Sequence, residues 1–151
     1  MDFKTSETAK NLMRAFAGES QARNRYTFCG RGSKKRGLVS VSQIFFFYGR
    51  IRSGLMQSDF YELLKEMAGE TIEICGGYPV DKQDSTEELL YAAQHNEYEE
   101  ADDVYQSFGD VAKEEGFYGS CIRFLSDCEN REDSWRQIRK TGGTVKDRSI
   151  F

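Results

Sequence analysis

The first helical pattern of the chain starts near Glu7 and carries apolar residues at Ala9, Leu12, Met13, Phe16, Ala22 and Tyr26. Steps of three and four put these residues on one face of a helix. Glu19 interrupts that stripe, three residues after Phe16 and three before Ala22. A carboxylate on a core stripe is costly unless it is paired or binds a metal. For this stretch alone the simpler reading is an ion pair with Arg23, one turn further on.

A second stripe shifts the balance. Between Glu87 and Val111, helical spacing joins Leu90, Ala93, Glu97, Glu100, Val104, Phe108 and Val111. Two carboxylates one turn apart stand where apolar residues belong. Carboxylates facing inward from different helices of a bundle point to a di-iron carboxylate site.

The rest of the pattern supplies four helices. The first is expected from about Glu7 to the Cys29–Lys35 region. Thr5 or Ser6 alone caps it, because Ala9 occupies the place where a capping box needs Glu or Gln. Gly37 marks the stop, and a second apolar run follows from Leu38 to Leu64 with Gly49 and Gly54 inside it. Turn chemistry then extends from Gly76-Gly77-Tyr78-Pro79 to Asp84. Ser85 and Glu88 form a capping box for the third helix, and Gly116 separates it from a fourth, expected from about Phe117 to Lys140. The connection between the second and third helices, roughly twenty residues, suits a bundle whose middle connection crosses its full length. The reading is all-α, an antiparallel four-helix bundle with Leu12, Phe16, Leu90, Ala93, Val104 and Phe108 facing the core.

Composition narrows the class. A chain of 151 residues makes one domain with a sizeable core. Its net charge of −4 argues against nucleic acid as the main partner. No apolar run reaches the length of a membrane span, and the opening MDFKTSETAK lacks the apolar stretch of a signal peptide, so a cytoplasmic location is expected. Cys29, Cys75, Cys121 and Cys128 form no C-x-x-C pair and are expected to be free thiols.

Three segments carry a family resemblance: AGESQARNRY at Ala17–Tyr26, ELLYAAQHNEYEEADDVY, and FGDVAKEEGF. Together they resemble rubrerythrin. The resemblance implies a ferritin-like bundle over residues 1–140 with a non-haem di-iron site, and a short tail over 141–151 in place of the family's rubredoxin domain. It implies iron as cofactor, with Glu19, Glu97 and Glu100 as metal ligands. Tyr26 and Tyr105 match tyrosines near the metals, or else are ordinary core tyrosines with bonded hydroxyls. The implied activity is reduction of hydrogen peroxide to water in oxidative-stress defence, with a rubredoxin-type electron donor and a homodimeric assembly. The alternative is a degenerate ferritin-like bundle or binding module without di-iron activity.

Two departures matter. The family's E-x-x-H motifs on the second and fourth helices fall here on Arg52 and Leu55, and on Arg131 and Ser134. The single histidine, His95, is at neither place and reads as a solvated surface residue. Both failed motifs lie in segments with poor helical stripes, Phe45–Gly54 and the stretch after Phe117. Back-translation is informative for both. Read from the third base of each codon, Gly49–Asp59 allows QNQEWAHAKR, with E-W-A-H at positions 52 to 55. Read from the second base, Asn130–Arg139 allows TEKTHGDRY, with E-K-T-H at 131 to 134. Local shifts of reading frame are therefore expected in both segments, and the second and fourth helices should be worst formed at Arg50–Gly54 and Gly119–Asn130.

Overall fold

In the computed structural model, which describes residues 1–51, 57–82 and 84–127, the first stripe becomes the long helix α1, Glu7–Lys35. Ser6 caps it, its hydroxyl accepting from the Ala9 N–H at 3.1 Å. One hydroxyl satisfies one of the four orphan N–H groups of a helix start. Glu115, more than a hundred residues away, satisfies two more. Its carboxylate accepts from the Glu7 and Thr8 N–H groups at 3.0 and 2.8 Å and from the Thr8 hydroxyl at 2.5 Å. The glutamate that Ala9 denies to the local capping box thus arrives from the other end of the sequence. It also places negative charge at the positive end of the helix dipole.

Partial burial pushes the Glu115 carboxyl up, but the bonds from Thr8 and Glu7 outweigh it and hold it below the usual glutamate range. With the folded value depressed, its contribution to stability is complete above the unfolded value of about 4.3 and is lost as pH falls through the folded value. Replacing Glu115→Ala is expected to lower stability by about 1 kcal/mol at neutral pH, read from urea midpoints. The same variant should lose less than the parent between about pH 5 and pH 3; parallel pH profiles would refute this role.

Helix α1 ends at Lys35, and just beyond its cap Gly37 turns the chain with a φ of +79°, open to glycine at little cost. Helix α2, Val39–Ile51, then runs back along it. The two approach closely because Gly30 has no side chain: a Cβ there would lie 3.0 Å from the Phe46 ring. After α3, Gln57–Leu63, and a short 3-10 turn at Lys65–Met67, residues 68–82 cross the bundle without regular structure. Helix α4, Thr86–Glu99, opens on the expected box: Ser85 Oγ accepts from the Glu88 N–H, and Glu88 accepts from the Ser85 N–H and hydroxyl. A π-helical segment, Glu100–Tyr105, joins α4 to α5, Gln106–Glu114. Past Gly116 (φ +86°), residues 118–127 form α6. No strand occurs among the described residues, and no described helix is long and apolar enough to cross a membrane. The architecture is the all-α, ferritin-like helical bundle, with α1 packed against α2, α3, α4 and α5.

The core divides in two. Leu12, Ala15, Phe60, Tyr105, Ala112 and Phe124 lead one cluster, at the start of α1. Tyr26, Val41, Phe45, Tyr48, Leu90 and Ala93 lead the other, towards its end. Of the expected core residues, Leu12, Leu90 and Ala93 are buried, and Phe16 and Phe108 pack on the first cluster partly exposed. Val104 is a correction: it is 38% exposed, and its neighbour Tyr105 is buried instead. The π segment accommodates an extra residue in the turn, so the fully buried positions move by one while Phe108 still packs on the core. Ala112 accordingly takes the place expected for Val111.

Residues 119–127 are helical, which corrects the expectation of a broken segment, and α2 continues through Gly49 to Ile51. Residues 52–54 and 128–130 lie outside the described residues, as do Arg52, Leu55, Arg131, Ser134, Cys128 and the tail. Both helices turn an apolar face inward, α2 through Val41, Phe45 and Tyr48 and α6 through Cys121 and Phe124, but each mixes polar residues into it. Helix α2 buries Ser42 and exposes Val39 and Phe47, while α6 buries Ser120 and Asp127 and exposes Tyr118 and Ile122.

Candidate functional site

Glu19 sits between the two apolar clusters, on α1 between Ala15 and Ala22, and is wholly buried. Helical periodicity puts it there: the flanking apolar residues face the core and carry it inward. Tyr105, from the π segment, donates its hydroxyl to Glu19 Oε1 at 2.9 Å. The Tyr105 ring is fixed by stacking on Phe60, centroids 5.8 Å apart, and by edge contact with Phe108 at 6.1 Å. Tyr26 is also buried, but among the rings of Phe45 and Tyr48 in the second cluster.

Glu97 lies in the last turn of α4, and Glu100 opens the π segment. Their side chains fall outside the described ones, as do any contacts they make. No group of three or more His, Cys, Asp or Glu able to hold a metal occurs among the described residues. His95 is exposed on α4, as expected. Cys29, Cys75 and Cys121 are free thiols, and burial pushes the Cys29 thiol up to about 11, leaving it protonated and inert.

Removing the Tyr105 hydroxyl leaves a buried carboxylate with one bond fewer. Tyr105→Phe is therefore expected to cost about 1–3 kcal/mol in urea unfolding. A change within experimental error would show that the bond does not help hold Glu19.

A second polar cluster was not anticipated from sequence. Arg25, nearly buried, ion-pairs with Asp81, and Asn96 donates to the same Asp81 oxygen at 2.7 Å. Gln21 adds a bond to the Pro79 carbonyl at 3.0 Å. These contacts pin the crossing connection to α1 and α4, the helices that carry Glu19 and Glu97. The signal was available: Arg25 is three residues after Ala22 and so shares the buried stripe, where a charge needs a partner as much as Glu19 does. Its partner lay fifty-six residues away and had no spacing to reveal it.

The chain is 34% identical over 149 residues to a rubrerythrin of Clostridium perfringens, spanning 98% of this chain and 76% of that protein. It is 38% identical over 148 residues to a rubrerythrin of Nitratidesulfovibrio vulgaris, spanning 98% and 75%. The chain belongs to the rubrerythrin family. Rubrerythrin-1 of Clostridium acetobutylicum is 43% identical over 123 residues, spanning 80% of this chain and 62% of that one. No family model matches. Among solved structures, nigerythrin in a mixed-valence state aligns with a TM-score of 0.79 at 20% identity, over 95% of this chain and 69% of its own. Fully reduced, all-ferrous nigerythrin gives a TM-score of 0.80. At that identity the likeness establishes the fold of this rubrerythrin-family chain, and its chemistry must be argued from its own residues.

Proposed function

We propose that this protein is of the rubrerythrin type, a non-haem di-iron protein whose complete site reduces hydrogen peroxide to water in oxidative-stress defence. In this reading Glu19, Glu97 and Glu100 are iron ligands, a rubredoxin-type protein is the electron donor, and the protein is a cytoplasmic homodimer. The observation that carries it is Glu19: a fully buried carboxylate midway along the bundle, held by Tyr105, inside the string AGESQARNRY. A bundle interior does not keep a buried carboxylate without a partner or a cation.

The donor set as written does not fit two irons. It offers three carboxylates from two helices, with arginine, leucine and serine at the positions where the family has two glutamates and two histidines. Metal affinity follows ligand count and geometry, so this polypeptide should bind iron poorly. Tyr105 and the surrounding rings are what the described residues contribute: they orient Glu19 and keep bulk water from it. One observation favours the second reading, a bundle without di-iron chemistry. In α6, Arg123 faces Asp127 at 3.0 Å, and Asp127 is wholly buried, so this helix carries an ion pair into the core. The deciding experiment is anaerobic reconstitution with ferrous iron, counting bound metal and following peroxide consumption in the chain as written and in a repaired chain.

A further inference from the structure

A cleft of about 640 Å³ lies between α1, the crossing connection and the α4–α5 column. That volume falls within the range of about 300–1,000 Å³ typical of small-molecule sites, which are mostly apolar with a few placed polar groups. The rings of Tyr78, Tyr105 and Phe108 line it, and Gly18 and Gly76 contribute bare backbone where other residues would fill the space. Arg14, the charged residue among the described lining residues, is already paired with Glu7 at 2.5 Å and bonded to the Cys75 carbonyl at 3.0 Å.

We propose that this cleft binds a neutral, planar aromatic molecule of two fused rings bearing a hydroxyl or carbonyl group. Three aromatic side chains favour ring contacts by offset and edge geometry. The polar anchor is the hydroxyl of Tyr78, a residue partly exposed. Its present bond to the Arg14 carbonyl is long, 3.3 Å, and can be exchanged for a ligand oxygen. Tyr105 both lines the cleft and donates to Glu19, which couples the cleft to the buried carboxylate. The site is built from residues of the chain as written and stands whether or not iron binds.

Gly18 provides the test. A Cβ there would lie 3.6 Å from the Tyr78 ring, an ordinary contact, whereas the longer side chain of Gly18→Leu would extend into the cleft. Gly32→Leu is the matched control: it sits in the same helix, and a Cβ there meets nothing within 4 Å. β-Naphthol titrated calorimetrically into the metal-free chain should bind saturably at one site. Gly18→Leu should weaken binding at least about tenfold, and Gly32→Leu should change it less than about twofold. Should Gly18→Leu fail to fold by circular dichroism, Tyr78→Ala on the connection should weaken binding at least about threefold. No saturable binding to the parent chain, or equal binding by the parent and whichever cleft variant folds, overturns the proposal.

Discussion

Reconstituted anaerobically with ferrous iron and desalted, the chain as written is expected to retain far less than two irons and to consume peroxide no faster than free iron does. The reason is the donor count. Glu19, Glu97 and Glu100 supply oxygen ligands from two helices, while positions 52, 55, 131 and 134 supply none of the family's glutamates or imidazoles. At positions 52 and 131 arginine also stands where the family has ligand glutamates, a cation in place of an anion. A repaired chain, with Arg52→Glu, Leu55→His, Arg131→Glu and Ser134→His set among the neighbours given by the shifted readings, should gain more than about 100-fold in iron affinity. Loss of even an outer partner of a metal ligand costs about 10–100-fold, and four ligands are restored here. Adding Glu19→Ala to the repaired chain should remove most of that gain. Tight binding of two irons by the chain as written would refute the claim that its site is incomplete. An iron-free repaired chain would remove the functional support for shifted frames. The gene's nucleotide sequence, or peptide masses from the native protein, would test the frames directly.

The largest stability effect is expected in α6. Arg123 bridges Asp59 at 2.7 Å and Asp127 at 3.0 Å, with its guanidinium 5.8 Å from the centre of the Phe60 ring. Asp127 is wholly buried, while Arg123 keeps about a quarter of its side chain in water. Replacing Arg123→Leu alone withdraws the cation from a buried carboxylate, and breaking buried pairs in this way costs about 3–5 kcal/mol. The partial exposure of Arg123 puts the expected loss near the lower figure. Replacing both, Arg123→Leu with Asp127→Leu, should be neutral or stabilising by up to a few kcal/mol, because similar-sized apolar residues avoid the desolvation of both charges. Urea midpoints of the two variants decide it. A double variant as unstable as the single one would mean that the pair is integral to this core. The expected result would mark it as charge placed on a helix face that the fold wants apolar.

Periodicity within the sequence determined much of this protein. The span of α1, the stop at Gly37, the Ser85–Glu88 box and the inward position of Glu19 all follow from contacts within a turn or two of helix, so spacing alone expresses them. The string around Glu19 made the family legible as well. Only the tertiary structure decided what depends on distant partners. Ala9 excluded a local capping box, and nothing near α1 announced that Glu115 would complete the cap. Arg25 needed a counter-charge that only the crossing connection could bring to it. The stripe through Val104 assumed an uninterrupted α-helix. The π segment at Glu100–Tyr105 shifts the fully buried positions by one, exposing Val104 and turning Tyr105 onto Glu19. A helix keeps its 3.6-residue period until packing rewards an irregular turn, and that reward comes from other helices, which a linear pattern does not record.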